Sequence, residues 1–473
     1  MKSDIAVQPP SARWALASLS LSMLLSSLGT SSANVGLPTL ALAFGATFQE
    51  VQWVVLAYLL AITTLIVSVG RLGDLIGRKR LLLGGIALFS LASLVCGAAP
   101  TLWLLIAARA VQGLGAAIMM SLSMAMVSET VPKEKTGSAM GLLGTMSAIG
   151  TALGPSLGGV LIAALGWRAI FFVNAPLGIL VIVLAYRFLP IDRSASPKPA
   201  ARFDHLGTVL LALTLAAYAL AVTLGRGNFG LLNAALLLAA GLGVALFVRV
   251  QARAAAPLVQ LKMFRDKTLS TSLATSAVVS TVMMATLVVG PFYLSRALGL
   301  APAQVGLVMS IGPIVSALSG VLAGRVVDRM GASIMVIAGL SLMVVGAVAL
   351  STLAPLFGVA GYVVAIVVLT PGYQLFQAAN NTAVMADIRA DQRGVTSGLL
   401  NLSRNLGLIT GASVMGAVFA FASASTDITT AHPDAITTGM RATFGVAVAL
   451  VALALAIALA SHRHTVRDRA LTG

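Results

Sequence analysis

A cluster of glycines and charged residues at 70–80 is the part of the sequence whose residue types suggest a mechanical role. It reads Gly-Arg-Leu-Gly-Asp-Leu-Ile-Gly-Arg-Lys-Arg and lies between two apolar runs, 51–69 and 81–99. Each run has about 20 residues, the length that crosses a bilayer. Glycines let two helix ends approach closely and turn, so the segment predicts a tight, charged hairpin. Its residues of interest are Gly70, Gly73, Asp74, Gly77, Arg78 and Arg80.

Asp74 is the one acid of this hairpin, and we predict that it acts as a conformational latch. Its carboxylate can interact with the positive N-terminal end of a neighbouring helix or with nearby arginines. The alternative is a solvated loop acid with no mechanical role.

Two arginines, Arg109 and Arg404, lie inside apolar runs. A guanidinium within a membrane span is costly and usually faces a cavity or a partner; snorkelling to the interface is the alternative for both. Other polar and aromatic residues are candidates for the wall of a substrate cavity, with structural hydrogen bonding as the competing explanation for each amide. With Arg404, the candidates are Gln374, Gln377 and Asn381 on one helical face, Asn401 on the face of Arg404, and Asn34, Trp53 and Tyr58 opposite.

The composition excludes a soluble protein. Of 473 residues, 58% are hydrophobic and 9% charged, with a mean hydropathy of +0.99, whereas a soluble domain has about 25% charged residues. The net charge of +16 comes from bases that recur in short loops, which is the positive-inside pattern and not a nucleic-acid surface. One cysteine and four scattered histidines predict no catalytic residues, no metal site and no cofactor, so we expect no enzyme. No segment outside the membrane is long enough for the core of a receptor domain.

Hydropathy predicts an all-α, polytopic membrane protein with fourteen spans. They lie at about 14–38, 51–69, 81–99, 102–126, 138–164, 169–189, 205–224, 230–250, 269–294, 303–323, 333–353, 358–384, 395–421 and 440–460. If the N-terminus is cytoplasmic, the inner loops carry most of the lysines and arginines, so both termini are predicted to be cytoplasmic.

The chain also repeats itself. Gly137 and Gly141 at the start of span 5 recur as Gly394 and Gly398 at the start of span 13. At the same offset, three further glycines fall on glycines: Gly150, Gly154 and Gly159 on Gly407, Gly411 and Gly416. Chance coincidence in a glycine-rich chain is the alternative. The repeat predicts two six-helix bundles, 1–190 and 268–473, joined by a linker and an inserted helix pair at 191–267, an architecture typical of carriers.

Span 5 carries a ridge of small residues. Gly150, Gly154 and Gly158 recur every four residues, so another helix can pack closely against them, and Pro155 removes a backbone hydrogen bond and bends the helix. Gly159 adjoins the ridge. Ordinary tight helix packing is the alternative to a functional role.

Taken together, these motifs resemble the major facilitator superfamily, in particular its 14-span drug:proton antiporter branch. Residues 70–80 are similar to the signature between spans 2 and 3, and Arg109-Ala-Val-Gln112-Gly113-Leu-Gly115-Ala-Ala117 is similar to the arginine motif of span 4. The stretch from Gly150 to Gly159 resembles the antiporter signature of span 5. The resemblance implies the major facilitator fold with two added helices, and a latch or coupling role for the 70–80 residues, Arg109 and Gln112.

One position departs from this branch. A span-1 acid usually precedes an Asn-Val-x-Leu-Pro segment, but here Gly29 stands before Asn34-Val-Gly-Leu-Pro38. A deep carboxylate is the usual proton carrier and counter-charge for a cation. Its absence favours neutral, zwitterionic or anionic substrates, and it leaves Asp74, Glu129, Asp387 or the substrate itself as proton carriers. We expect Gly29→Asp to shift preference toward cations.

The resemblance implies a proton-antiport exporter of small amphipathic compounds or drugs, working by alternating access in a bacterial inner membrane. The alternative is an importer or facilitator of a neutral or anionic metabolite or vitamin on the same fold. The expected partners are the lipid bilayer, a small-molecule substrate and protons, with a periplasmic adaptor protein as a further candidate and no nucleic acid. A monomer is expected.

Overall fold

The computed structural model describes residues 10–131, 136–190, 204–224, 230–254, 257–258, 261–386, 393–423 and 431–472. Every regular element in these ranges is helical, which confirms the all-α prediction for the described chain. The helices are α1 Pro10–Phe44, α2 Phe48–Ile76, α3 Arg78–Ala98, α4 Leu102–Thr130, α5 Thr136–Leu165, α6 Ala169–Phe172, α7 Asn174–Phe188, α8 His205–Thr223, α9 Leu231–Arg253, α10 Lys267–Phe292, α11 Pro302–Met330, α12 Ala332–Ala386, α13 Arg393–Thr410, α14 Gly416–Ala422 and α15 Pro433–Thr472. Five-residue π-helical segments extend α10 through Tyr293–Ala297 and join α13 to α14 through Gly411–Met415.

Eleven helices among the described residues are long and apolar enough to cross a membrane. Two shorter apolar helices, Ile149–Leu165 and His205–Ala221, accompany them. These lengths and compositions are those of a multi-pass membrane protein. The total of fourteen spans stays a prediction.

The longest helix, α12, is a hairpin. The sequence predicts separate spans at 333–353 and 358–384, whereas helical structure runs from Ala332 to Ala386 with only Gly358 non-helical inside it, at φ 57°. The two arms pack against each other: a Cβ added at Gly346 would lie 2.6 Å from the Leu369 Cα. The predicted loop is therefore reduced to a single left-handed glycine, a conformation that costs glycine little and other residues much more.

The predicted hairpin loop at 70–80 is wrong in its extent. Helix α2 continues through Gly70, Gly73 and Asp74 to Ile76, and Arg78 already begins α3. Only Gly77 leaves the helix, at φ 103°, and its N–H donates to the Gly73 carbonyl at 2.9 Å. One residue with positive φ suffices to reverse the chain, so the helical hydrogen bonds need not stop earlier. The side chain of Asp74 lies outside the described part of the structure.

The turn at Gly77 has a structural counterpart between α11 and α12. Gly331 has φ 86°, and its N–H donates to the Val327 carbonyl at 2.9 Å. Both turns adjoin basic residues, so we call this end of the bundle, with the turns at Gly77 and Gly331, the basic end. The opposite end carries the turns at Gly45, Gly166, Gly299 and Gly358.

The helices pack in two sets with matching contacts; the first set runs from α1 to α7 and the second from α10 to α15. In the first, α1 packs against α5, and α2 and α3 pack against α4; in the second, α10 packs against α13, and α12 against α11 and α15. The added helices α8 and α9 pack together, and α8 also contacts α2, where the Trp53 Nε1 donates to the Thr223 hydroxyl at 3.1 Å. The linker at 191–203 lies outside the described residues, and the division at 190 and 268 stays a prediction.

Candidate functional site

A cavity of about 440 Å³ lies between the two helix sets, a size suited to a small organic molecule. Helix α5 supplies one wall, and α10 to α13 supply the others. Its polar lining residues are Ser147, Thr151, Thr286, Ser316, Thr370, Gln374, Gln377, Asn381 and Arg404, and its apolar and aromatic ones include Met283, Leu287, Val308, Met309, Tyr362, Ile366, Tyr373 and Leu408.

The cavity is apolar and closed at one end, polar and open at the other. Tyr362 is 2% exposed and stacks on Tyr293 with ring centroids 6.3 Å apart. Asn381 and Arg404 are exposed. Along α12 the distance from Tyr362 to Asn381 is about 28 Å at 1.5 Å per residue. The mouth therefore faces the basic end.

Contacts between the two helix sets close the opposite end. The ring of Phe48 on α2 lies edge-on to Phe292, with centroids 4.7 Å apart, and contacts Phe419 at 5.5 Å. The Gln52 Nε2 donates to the Ala412 carbonyl at 3.0 Å. These buried contacts leave the cavity accessible from the basic end in this conformation.

Glycines account for how closely the helices approach. The predicted ridge on α5 lies against α1: a Cβ at Gly150 would collide with the Leu24 carbonyl, and one at Gly154 with the Ser31 hydroxyl. A Cβ at Gly158 would lie 2.9 Å from the Val35 side chain.

Gly159 points the other way, toward α11, where an added Cβ would lie 2.9 Å from the Gly306 Cα. Pro155 lies within α5, and its carbonyl also borders Gly306. The ridge therefore packs α5 within its own helix set, while its last glycine brings α5 against the other set. Any further role of these residues in antiport stays a prediction.

Arg109 is fully buried, away from the cavity lining. Its Nε donates to the Val54 carbonyl at 2.9 Å, and its Nη1 donates to the Gly29 carbonyl at 3.0 Å and to the Gln112 Oε1 at 2.6 Å. The guanidinium carbon lies 4.1 Å from the centroid of the Tyr58 ring. No described carboxylate contacts it, so carbonyl dipoles and a π face are its counter-charge. This cation ties α1, α2 and α4 together.

The residues around Arg109 are themselves hydrogen-bonded. The Gln112 Nε2 donates to the Ser93 hydroxyl at 2.6 Å, which adds α3 to the network, and the Tyr58 hydroxyl donates to the Ser26 carbonyl at 2.9 Å. The Nη2 of Arg109 has no partner in the described structure. Each polar atom that is paired here would be costly to leave unpaired.

Arg404 has the opposite surroundings. It is exposed and lines the cavity, and its side chain makes no hydrogen bond or ion pair within the described part of the chain. Gln377 and Asn381 line the same cavity, and neither side chain has a hydrogen-bond partner among the described residues. Gln374 differs, because its Nε2 donates to the Ser316 hydroxyl.

Four predicted cavity residues are therefore in the lining, and four are not. Asn34 is buried with its Nδ2 on the Thr30 carbonyl, Tyr58 lies under Arg109, and Trp53 contacts α8. Asn401 is half-buried outside the lining. Neighbouring helices cover these side chains, which a single-helix periodicity does not reveal.

The sequence prediction missed Ser147, Thr151, Tyr362 and Tyr373. A signal for the first was available, because the offset that carries Gly150 onto Gly407 also carries Ser147 onto Arg404. The tyrosines gave no such signal.

Acids are absent from the described cavity lining. The side chains of the predicted proton carriers Asp74 and Glu129 lie outside the described part, as does the whole of Asp387. Among the described residues, no group of three or more His, Cys, Asp or Glu side chains could hold a metal ion.

Comparisons with known proteins agree with this architecture. The sequence model of the Major Facilitator Superfamily matches residues 19–412. The multidrug resistance protein Stp of Mycobacterium tuberculosis is 33% identical over 390 residues, covering 82% of this chain and 72% of Stp. The riboflavin transporter RibZ of Clostridioides difficile is 29% identical over 403 residues, covering 85% of this chain and 86% of RibZ.

A solved structure shares the fold. A bacterial homologue of the human lysosomal transporter Spinster, in an inward-facing and unoccupied conformation, superposes with a TM-score of 0.70 over 98% of this chain and 99% of that one. Its sequence identity is 14%, so the likeness concerns the fold alone.

Proposed function

The chain belongs to the major facilitator superfamily and is a transporter, and on that premise we propose that it exports small amphipathic compounds by proton antiport. The observation that carries the proposal is the cavity between the helix sets, apolar and aromatic at its closed end and polar at its mouth. Such a lining suits molecules with one apolar and one polar part. The similarity to a multidrug resistance protein supports export.

Alternating access follows from the same contacts. The contacts of Phe48 and Gln52 with the second helix set would have to open, and the basic end would have to close, for substrate to leave on the far side. Both termini are proposed to be cytoplasmic in a bacterial inner membrane, which puts the open mouth on the cytoplasmic side. Reporter fusions after Asp204 and Ser461 should then read as cytoplasmic, and one after Asn228 as periplasmic.

Vesicle transport tests the direction and the coupling. Inverted vesicles that contain the protein should accumulate substrate when acidified inside, and an uncoupler should abolish the accumulation. Right-side-out vesicles serve as the matched control. Accumulation that ignores the uncoupler contradicts proton antiport.

A variant pair tests the latch. We expect Asp74→Asn to reduce transport severely at near-normal expression, because the neutral side chain loses its attraction to a helix N-terminus or to arginines. Asp328→Asn, at the corresponding place before Gly331, is the control and should transport nearly as well as wild type. Equal rates for Asp74→Asn and wild type would remove Asp74 from the mechanism.

Import or facilitated passage of a neutral or anionic metabolite is the second candidate function. The similarity to a riboflavin transporter over 85% of this chain favours it, as does a described cavity lining without acids. Uncoupler-insensitive equilibration of substrate in both vesicle orientations would support this candidate.

A further inference from the structure

Charge is distributed unevenly in the cavity. Among the described residues that line it, Arg404 alone carries a formal charge, and no carboxylate is present to offset it. The guanidinium offers five N–H donors in a planar fork that matches a carboxylate or sulfonate. The cavity is thus electropositive at one place on its wall.

Two amide side chains of the same cavity also lack hydrogen-bond partners among the described residues. Gln377 and Asn381 line the cavity near its mouth, and no described residue accepts a hydrogen bond from either amide. The cavity lining thus offers amide and guanidinium N–H donors, which suit a ligand oxygen that carries negative charge.

The depth of Arg404 in its span gives weight to the lack of a partner within the described part of the chain. It lies five residues inside the apolar span Leu399–Ala422, about 8 Å from the end of that span at 1.5 Å per residue. An arginine at such a depth is normally paired or turned to a water-filled cavity. A ligand anion that enters the cavity would supply the missing counter-charge.

The internal repeat shows that this charge is not imposed by the fold. Ser147 on α5 corresponds to Arg404 on α13, and both line the cavity. The two helices are anchored alike, since a Cβ at Gly150 would meet the Leu24 carbonyl and one at Gly407 the Ala277 carbonyl. Ser147, however, already shares a hydrogen bond with Ser27 at 2.7 Å. One of the two corresponding positions therefore presents a hydrogen-bonded hydroxyl, and the other presents a cation without a partner among the described residues.

We propose that the cavity selects amphipathic organic anions, such as aryl carboxylates, and that Arg404 with Gln377 and Asn381 holds the anionic group. The apolar body of the ligand then extends toward Met309 and Ile366, at the closed end. This inference rests on the proposed function only in taking the cavity as the substrate site; it is independent of transport direction and of proton coupling.

A matched pair of probes tests the proposal. Radiolabelled 1-naphthylacetate and its neutral amide, 1-naphthylacetamide, differ in the charged group alone, and their binding to the purified protein can be measured by scintillation proximity. Wild type should bind the acid about tenfold more tightly than the amide, the size expected of one charge-assisted contact. Arg404→Gln should abolish that preference, and a melting temperature close to that of wild type reports that the variant is folded.

Two further variants keep the test decisive. Arg404→Lys retains the charge without the fork and should keep part of the preference, and it replaces Arg404→Gln if that variant fails to fold. Arg325→Gln removes an exposed arginine outside the cavity lining and should behave as wild type. An acid that binds no better than the amide to wild type, or a preference unchanged in Arg404→Gln, overturns the proposal.

An acidic lipid headgroup is the other source of an anion near the mouth, so binding should be repeated in nanodiscs. A preference that is equal in phosphatidylcholine and phosphatidylglycerol nanodiscs supports a substrate anion. If the preference for acid over amide disappears in phosphatidylglycerol nanodiscs, Arg404 binds the lipid headgroup and the proposal is overturned. Acid preference that depends on Arg404, in a protein without uncoupler-sensitive export, would contradict the proposed antiport and leave this inference standing.

Discussion

Arg109 and Arg404 have the same side chain inside membrane spans, yet the structure gives them opposite surroundings. Arg109 is enclosed by the Val54 and Gly29 carbonyls, the Gln112 amide and the Tyr58 ring. Arg404 lines an accessible cavity and makes no hydrogen bond or ion pair with the described residues. Most N–H donors of Arg109 bind groups on three helices, whereas the donors of Arg404 have no partner among the described residues and can bind a ligand in the cavity.

The contrast between the two arginines shows that the free-energy cost of a charge in a membrane does not by itself indicate function. A buried cation surrounded by carbonyl dipoles is costly to remove, because its partners would be left unpaired. A cation in a cavity is costly to leave without a ligand or water, and this makes it selective. Stability and substrate preference should therefore separate when each arginine is changed.

The largest effect is expected for Arg109→Ala. The substitution leaves two carbonyls and the Gln112 side chain without their donor and opens a void beside Tyr58, so it should destabilise the fold by about 3 kcal/mol or more. The apparent melting temperature in detergent should fall strongly, and transport should be lost with it. Arg109→Lys keeps the charge with fewer directed donors and should lie between this variant and wild type.

Arg404→Gln is the matched comparison for stability, since it removes a guanidinium without breaking any described contact. Its melting temperature should stay close to that of wild type. If Arg109→Ala melts like wild type, the enclosed network does not hold α1, α2 and α4 together, and the contrast between the arginines fails.

A smaller effect is expected for an acid at position 29, where the structure reverses the expectation drawn from the sequence. A Cβ at Gly29 would lie 2.8 Å from the Phe89 ring and 3.4 Å from the Tyr58 hydroxyl, beside Arg109 and outside the cavity lining. Gly29→Asp should lower stability by displacing Phe89, but less than Gly29→Asn, because a carboxylate is attracted to the buried guanidinium. Melting temperatures of the two variants measure the difference.

Substrate preference should not move in either position-29 variant. The preference for 1-naphthylacetate over its amide, and weak binding of the cation tetraphenylphosphonium, should both match wild type. If Gly29→Asp bound the cation clearly more tightly than wild type, α1 would have to line the cavity at this position.

Much of the fold could be predicted from the sequence, because the length of an apolar run is a local property. The face shared by Gln374, Gln377 and Asn381 could be found for the same reason, since it lies on one helix. The roles of the two arginines could not, because the neighbours of Arg109 come from α1, α2 and α4. The same limit explains Trp53 and Tyr58, whose hydrogen-bond partners lie on α8 and α1.

The extent of the turns shows a second limit. Charge and glycine content at 70–80 suggested a loop, but a helix in a bilayer keeps its backbone hydrogen bonds wherever it can. Only Gly77 has to leave the helix, and the sequence offers several glycines for that place. Packing decides which glycine leaves the helix to form the turn. Gly73 stays helical because it packs against α4, where an added Cβ would lie 2.8 Å from the Leu122 side chain.

The smallest expected effects come from two amides, Gln112 beside Arg109 and Gln377 in the cavity that Arg404 lines. Gln112 accepts a hydrogen bond from Arg109 and donates one to Ser93. Gln112→Leu removes both buried hydrogen bonds, so it should lower the free energy of unfolding by about 2 kcal/mol, and the melting temperature with it. The preference for acid over amide should not change. Gln377→Leu breaks no described contact, so it should leave the melting temperature unchanged and reduce that preference about two- to threefold, as expected for one weak hydrogen bond to the ligand. Both variants can be measured on the same preparations, by thermal unfolding and by binding of the naphthyl pair. If Gln377→Leu instead lost stability and Gln112→Leu lost the preference, the roles would be reversed: Arg109 would bind the substrate and Arg404 would hold the helices together.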